Sequence, residues 1–164
     1  MIKALEAIRA RLSVDAELVA FFTAQYNKSL KHLFGYKTAM KADDYPILSY
    51  VCTKGSYGLN GHDKGFMVSL VLGLNDARVV DANSVIIANE NIGTAQFLTF
   101  LGAQNTSAAI ELIIASLKKD EGLGDFLLVS DVVVFSEIPP NTPFFNTEIT
   151  FQLKQSGSRN LGRV

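Results

Sequence analysis

The segment from Phe145 to Leu153 alternates between two kinds of side chain with a period of two, and it constrains the fold more than any other part of the chain. One set of alternate side chains is apolar apart from a threonine, and the intervening set is polar. The first set is Phe145, Thr147, Ile149, Phe151 and Leu153, and the second is Asn146, Glu148, Thr150 and Gln152. Such alternation predicts a half-buried antiparallel strand with one wet face. The wet face carries no catalytic grouping, so the pattern favours a subunit of an assembly over an enzyme.

Apolar side chains at helical spacing predict three helices. The first covers Ile2 to Leu12, and the second runs to about Tyr26 with Ser13 as its cap. We expect the second helix to bury the side chains Leu18, Val19, Phe21 and Phe22. Asn105 or Thr106 is the predicted cap of the third helix, whose apolar stripe is Ile110, Ile113, Ile114 and Leu117. Residues 27–44 hold a helical fragment at most, which Gly35 interrupts.

Strands are predicted between these helices. The step from Tyr45 to Pro46 opens one strand, because the residue before a proline is driven to an extended conformation. Phe66 to Leu74 is apolar on both faces and is therefore predicted to be central, with Gly73 as a possible bulge. Residues 75–102 have room for one or two short strands, and Ile92 to Leu101 is predicted to extend or edge the sheet.

The order of these elements predicts one α+β domain over residues 1–153. Its helices are expected to pack on one face of a largely antiparallel or mixed β-sheet. Residues 154–164 have no periodic apolar pattern and are predicted to form a flexible C-terminal tail. The chain has no apolar run near the ~20 residues of a membrane span and no apolar signal core at its start, so we expect a soluble, cytosolic protein.

Charge is distributed unevenly along the chain, although the formal net charge is only −1. Residues 1–41 contain seven Lys and Arg against three acids, and residues 42–153 contain five against thirteen. No acid occurs from Leu18 to Ala42, where four lysines accumulate: Lys28, Lys31, Lys37 and Lys41. Two poles of opposite charge suit copies that meet head to tail, and a solvated helix end is the alternative interpretation. A nucleic-acid binder is more often basic overall, so we expect no sequence-specific nucleic acid partner.

Residues able to carry chemistry are scarce. Cys52, His32 and His62 are the only Cys and His residues, fewer than the four ligands of a structural zinc site. Cys52 lies in an apolar run and is predicted to be a small buried hydrophobe. The glycine-rich loop predicted at 53–64 lacks the Lys-Ser/Thr ending of a phosphate loop, and Asp43–Asp44 fits a solvated turn. We therefore expect no catalytic residue, no metal and no cofactor.

The chain resembles the tail-terminator and minor tail proteins of long-tailed bacteriophages and of prophages. The resemblance lies in the order of elements: a helix pair, the strands YPILSYV and VSLVLGL, the helix IELIIASL, and a final strand pair. Its local motifs are Tyr45-Pro46-Ile47 and the connector from Ser136 to Pro143. The family implies an α+β subunit, without catalysis or cofactor, that closes into a hexameric ring. Such a ring caps the tail tube and provides a docking surface for the head.

This resemblance implies particular partners: other copies of the chain, the tail tube and head-connector proteins. It also implies a location in the bacterial cytoplasm during assembly and in the virion tail afterwards. The predicted assembly contacts are Lys28, Lys31, Lys37, Lys41, Tyr57, His62, Arg159 and Arg163. The alternatives are a head–tail joining protein or a small-molecule-binding domain with a pocket between helices and sheet. An enzyme would require Cys52, a histidine and a carboxylate to converge in one cleft.

Overall fold

The computed structural model describes residues 1–36, 40–57, 64–81, 86–87, 98–119, 123–136 and 143–155. Its helices are α1 (Ile2–Val14), α2 (Ala16–Tyr26) and α3 (Leu101–Lys118), with a short 3₁₀ helix at Ala42–Asp44. The strands are β1 (Lys31–Phe34), β2 (Ile47–Tyr57), β3 (Lys64–Asn75), β4 (Val79–Asp81), β5 (Ile86–Ile87), β6 (Leu98–Phe100), β7 (Phe126–Leu128), β8 (Val133–Ser136) and β9 (Phe144–Gln155).

Six of these strands form one mixed sheet. Its order is β1-β2-β3-β9-β7, and β8 also pairs with β9, on the same side as β7. Only β1 and β2 are parallel among the described pairs of this sheet; the others are antiparallel. All three helices lie against one face, so the predicted α+β class is confirmed.

The strand that alternates most strictly in sequence, β9, lies beside the central strand β3. Phe145, Ile149 and Phe151 are buried on the helix side of the sheet, as is Thr147, so the predicted two-faced strand is confirmed. Their partners across the ladder are apolar residues of β3: Leu70 opposes Ile149, and Val68 opposes Phe151. Each buried CH₂ contributes about 0.8 kcal/mol to the free energy of unfolding, so the buried side chains of β3 and β9 make a large contribution to the stability of the core. The same cluster includes Ile8 of α1, Phe22 of α2 and Ile113 of α3.

The N-terminal helix pair forms as predicted, but its cap differs. Asp15 caps α2, since its side chain accepts hydrogen bonds from the N–H groups of Glu17 (3.1 Å) and Leu18 (3.2 Å). Ser13, the predicted cap, belongs to the last turn of α1 and donates to the carbonyl of Ala10. The carboxylate is placed where the N-terminal end of the helix dipole favours negative charge.

Two predicted burials on α2 need correction. Leu18 and Phe22 are buried, and Phe21 packs partly against the core, but the Val19 side chain is 47% exposed. The helix buries only the side that meets α3 and the sheet, and Val19 lies outside that narrow stripe.

The third helix begins at Leu101, four residues before Asn105 and five before Thr106, the two predicted caps. Asn105 and Thr106 lie inside α3 and are buried, because their polar groups have internal partners. Thr106 Oγ1 donates to the carbonyl of Gly102 at 2.7 Å, and Asn105 Nδ2 donates to Asp76 Oδ2 at 3.2 Å. The apolar stripe and the lysines at the C-terminal end agree with the prediction.

Residues 27–44, where a helical fragment at most was predicted, contain a strand before Gly35 and a short 3₁₀ helix at Ala42–Asp44. Lys31–Phe34 pairs in parallel with Ile47–Tyr50, and Gly35, at φ +87°, ends the strand. Strand β2 then extends to Tyr57 and β3 begins at Lys64, so only residues 58–63 separate them. The predicted 53–64 loop is therefore wrong at both ends, because backbone pairing continues from Cys52 through Tyr57.

The bulge in this hairpin lies at Thr53 rather than at the predicted Gly73. The register shifts between Cys52 and Lys54, whereas Gly73 pairs regularly with Ile47 and Asn146. Gly73 is required for another reason: a Cβ there would come within 2.9 Å of the Tyr45 ring.

Two predictions about the periphery also need correction. Leu98–Phe100 does not join the main sheet. It pairs with β4, which also pairs with β5, and these three strands form a separate sheet. Residues 92–97 of the predicted segment lie outside the described residues. Strand β9 continues to Gln155, so Lys154 and Gln155 belong to the sheet and not to a tail. The remaining predicted tail, 156–164, lies outside the described residues.

Candidate assembly surfaces

The sheet face opposite the helices is polar near its centre. Ser69 Oγ and Thr150 Oγ1 lie 3.3 Å apart, within hydrogen-bonding distance, and Thr150 Oγ1 donates to Glu148 Oε1 at 3.4 Å. Gln152 extends the same polar row and is exposed. These are structural hydroxyl and carboxylate contacts. The face is polar, as the alternation predicted, but it is less wet than expected, because Ser69 is buried and Thr150 and Glu148 are half-buried.

One edge of the sheet is apolar and exposed, and we call it the β8 edge. It consists of β8 together with Leu127 and Val129, which precede β8 along the same side of β9. Every residue of β8 is exposed, and the exposed fraction reaches 60% for Phe135. Natural edge strands are usually protected by charge, proline or cover, so an apolar edge of this kind is typical of a pairing surface.

The backbone of β8 directs hydrogen-bonding groups outward at alternate residues. The N–H of Val129 donates to the carbonyl of Gln152 at 3.0 Å. Because backbone groups alternate in direction along a strand, the even-numbered residues of β9 direct their N–H and C=O groups toward β7 and β8. Val133 and Phe135, which oppose Thr150 and Glu148, therefore bond to β9. Since successive residues of a strand alternate, Val134 and Ser136 direct their N–H and C=O groups away from the sheet.

The other edge of the sheet is β1, and we call it the β1 edge. The N–H of Lys31 donates to the carbonyl of Pro46 at 3.0 Å, and the N–H of Gly35 donates to the carbonyl of Tyr50 at 2.9 Å. By the same alternation, His32 and Phe34 direct their backbone groups outward. In the part of the chain that the structure describes, no further strand pairs with this edge.

Several cations surround the β1 edge, including three of the lysines singled out in the sequence. Lys28 lies 3.7 Å from the Asp43 carboxylate, and Lys31 Nζ donates to the Asp43 carbonyl. The guanidinium of Arg9 stacks over Phe34 at 5.5 Å from the ring centre. Lys41 begins the 3₁₀ helix, where its N–H donates to the Asp44 carboxylate at 2.9 Å. The carboxylates near the β8 edge are Asp131, which is exposed, and Glu148, which is half-buried.

The remaining predicted contacts are not gathered around these lysines. Tyr57 is exposed at the end of β2, and its ring meets Phe66 edge-on at 6.4 Å. Lys37, His62, Arg159 and Arg163 lie outside the described residues.

Of the residues that an enzyme was expected to need, His32 and Cys52 are described by the structure, and each has a structural partner. His32 Nδ1 shares a hydrogen bond with the Tyr50 hydroxyl, and the two rings stack at 5.7 Å between centres. Burial, aided by the nearby Arg9, lowers the pKa of His32. Cys52, predicted to be buried, is only half-buried, because its side chain lies near the bulge, where Sγ donates to the Lys54 carbonyl at 3.5 Å. Among the described residues there is no group of three or more His, Cys, Asp or Glu side chains placed to hold a metal.

A buried ionic network that the sequence did not reveal lies at the end of β3. The Asp76 carboxylate accepts from Nε (2.8 Å), Nη2 (2.7 Å) and the backbone N–H (3.1 Å) of Arg78. Burial acts to raise the pKa of Asp76, but the bonds from Arg78 outweigh it and lower the pKa. Arg78 also stacks over the Tyr26 ring at 5.5 Å, and Asn105 of α3 bonds to the same carboxylate. This network fastens α2 and α3 to the end of β3, and no spacing rule joins residues so far apart in sequence.

The cavities lined by described residues bear on the alternative of a small-molecule-binding domain, and two of them lie away from the underside of β3. One of about 230 Å³ lies near the start of α2, between Leu18, Leu30 and His32. Drug-sized ligands occupy pockets of about 300–1,000 Å³. A larger one, about 380 Å³, is lined by Tyr57, Lys64 and Val129 at the surface of the sheet. Beneath β3, where the ligand pocket was expected, the inward side chains are themselves buried in the core.

No protein-family model matches the chain, and no similar sequence is found among curated proteins. Among its described helices, none has the length and apolar character needed to cross a membrane.

The positions of the two sheet edges could be predicted only in part from the sequence. A final strand pair was expected, but the edge position of β7 and β8 depends on β9, and not on either of them, pairing with β3.

Proposed function

We propose that this chain is a structural subunit of a bacteriophage or prophage tail, most closely a tail terminator that assembles into a ring. The observation that carries the proposal is the exposed apolar β8 edge on an otherwise well-packed subunit. An apolar edge strand costs solubility and invites pairing with another chain, so its presence is explained when the edge is covered in an assembly.

Two further observations support this proposal. The helix pair, the strands β2 and β3, the helix α3 and the closing strands follow one another in the order on which the resemblance rests, with β1 and the small β4–β6 sheet in addition, and the fold is α+β with helices on one sheet face. Among the described residues, chemistry-bearing side chains are engaged in structural contacts, so the proposed role requires neither catalysis nor a cofactor. The proposed partners are other copies of the chain, the tail tube and the head connector, in the bacterial cytoplasm and then in the virion.

The experiment is the absolute mass in solution, measured by light scattering across protein concentration and salt. We expect a species of six times the 17.9 kDa chain mass, and electron micrographs of it should show closed rings. A chain that stays monomeric at every concentration, or that forms only symmetric dimers, contradicts a self-assembling ring.

Charge reversal provides a separate test of whether the segment from Lys28 to Lys41 contacts an acidic neighbour in the assembly. Lys31→Glu combined with Lys37→Glu should weaken the assembly, and more strongly at low salt because screening is weaker there. An unchanged mass in both low and high salt would contradict the role proposed for these lysines.

A further inference from the structure

We infer that neighbouring copies join through their sheets, with the β1 edge of one copy pairing antiparallel to the β8 edge of the next. This inference deepens the proposed ring assembly and rests on it. It specifies the contact as strand pairing between two different edges, with another copy of this chain as the partner.

Strand direction permits this pairing. Strand β1 is parallel to β2, and β2 and β9 are both antiparallel to β3, so β1 and β9 run in the same direction. Strand β8 is antiparallel to β9 and therefore opposite to β1. A neighbour related by rotation about an axis along the strands keeps the same direction, so it presents the two edges antiparallel to each other. The two edges are also equal in length, at four residues each.

The outward backbone groups and the side-chain faces agree in one register. His32 and Phe34 direct their backbone groups outward, and their rings lie on the helix side against Tyr50. Val134 and Ser136 direct theirs outward as well, and they oppose Ile149 and Thr147, which lie on the helix side. Directly paired residues in an antiparallel ladder share a face, which allows registers two residues apart; we choose the one in which His32 opposes Ser136 and Phe34 opposes Val134, because it sets Phe135 against Leu33 rather than against Lys31.

This register covers three of the exposed or half-exposed apolar side chains at the two edges, Phe34, Val134 and Phe135. Phe34 and Val134, each 38% exposed in the isolated subunit, would meet on the helix side. Leu33 would meet Phe135 on the open face, where Phe135 is otherwise the most exposed apolar residue of β8. Two pairs of an aromatic with an aliphatic side chain, Phe34–Val134 and Phe135–Leu33, would stabilise this two-strand contact.

Charge also distinguishes the two edges. Among the described residues, Arg9, Lys28 and Lys31 surround the β1 edge, with Asp43 as a partly compensating carboxylate. Among the described residues, Asp131 and Glu148 lie beside β8 itself, and Lys154 lies opposite Leu127 at the far end of the same edge. Opposite signs attract the β1 edge to the β8 edge, whereas two β1 edges would repel each other. The contact is therefore heterologous, the type that gives a ring when the rotation between copies closes and an open filament when it does not.

The direct test is a disulfide between neighbours. Leu33→Cys and Phe135→Cys are introduced together in a Cys52→Ser background. In the proposed register this is a non-hydrogen-bonded pair, whose Cα atoms approach to about 4.5 Å, within the range of a disulfide. Oxidation should give a ladder of covalent oligomers that ends at the ring size. The matched control, Leu33→Cys with Val129→Cys, should give no ladder, because Val129 lies beyond the paired residues.

A second variant removes one outward donor without disturbing β9. Val134→Pro deletes the N–H that points away from the sheet, and Val134→Ala keeps it. We expect Val134→Pro to raise the protein concentration at half-assembly by about tenfold relative to Val134→Ala, which is the effect of one lost hydrogen bond. Circular dichroism that matches the wild type confirms that the variant is folded.

The outcomes separate this inference from the proposed function. A wild-type ring with no disulfide ladder, or with Val134→Pro assembling like Val134→Ala, overturns the edge pairing and leaves ring assembly in place. A wild-type chain that is monomeric at every concentration overturns both. A ladder with the Leu33/Phe135 pair alone, together with weaker assembly of Val134→Pro, supports the pairing.

Discussion

The capping carboxylate Asp15 gives the prediction with the clearest magnitude. Its carboxylate accepts two backbone N–H groups at the start of α2 and lies 2.8 Å from Lys119 Nζ, at the end of α3. Burial by itself would raise the pKa of Asp15, but the Lys119 ammonium and the Leu18 N–H outweigh it and lower the pKa to about 2. The charged form is therefore the one that the folded state stabilises.

The size of the effect follows from that shift. A pKa that moves from 3.8 to about 2 corresponds to roughly 2.4 kcal/mol, at about 1.36 kcal/mol for each pH unit. Because the folded-state pKa is depressed, this stability is fully present above the unfolded pKa and is lost as pH falls through the folded pKa. At pH 3 about 1.3 kcal/mol of it should remain.

The assay is urea unfolding followed by circular dichroism for wild type and Asp15→Asn at pH 7, 5, 4 and 3. The asparagine keeps a cap acceptor but cannot ionise, so its deficit should be about 2 kcal/mol at pH 7 and should shrink below pH 4. Asp43→Asn is the control, because the Asp43 side chain is fully exposed, and its unfolding curves should match the wild type. A deficit for Asp15→Asn that stays constant from pH 7 to pH 3 would refute the assignment of this stability to ionisation.

Three other predictions concern the core and its polar contacts. Gly102→Ala should destabilise the protein by about 1–3 kcal/mol in thermal unfolding, because the new Cβ would enter the Phe145 ring, and this outweighs the better helix propensity of alanine. Combining it with Phe145→Leu should restore part of the lost stability. Arg78→Met should lower the free energy of unfolding by about 3 kcal/mol, because it leaves the buried Asp76 carboxylate uncompensated, and an effect no larger than that of an exposed arginine would contradict the network. Burial lowers the pKa of His32, so the unfolded state takes up a proton more readily and the free energy of unfolding should fall between pH 7 and pH 5. In urea unfolding, the free energy of His32→Gln should depend less steeply on pH over that range, and an equally steep dependence would contradict the assignment.

Local patterns in the sequence determined the elements that carry strong periodicity. The alternation from Phe145 to Leu153 predicted β9 and its two faces correctly, because a strand buried on one side must repeat every two residues. The helices α1, α2 and α3 were predicted for the corresponding reason at a period of 3.6. The α+β class followed from the order of these elements.

Short elements and caps depended on tertiary contacts. Strand β1 has only four residues, too few for a period to be visible, and it is a strand because β2 offers it a parallel partner. Asn105 is a helix-interior residue and not a cap because Asp76, 29 positions earlier, accepts from its amide. Neither contact can be read from neighbouring residues.

The candidate assembly surface shows the same division. The sequence by itself determined that Val133, Val134 and Phe135 form an apolar strand and that charge is concentrated in the first 41 residues. Only the tertiary structure decided that β1 and β8 are the two edges of one sheet, because strand order depends on which long strands pair at its centre. The local pattern of side chains determines whether a segment is a helix or a strand. The backbone pairing between distant segments determines which strands lie at the edges of the sheet.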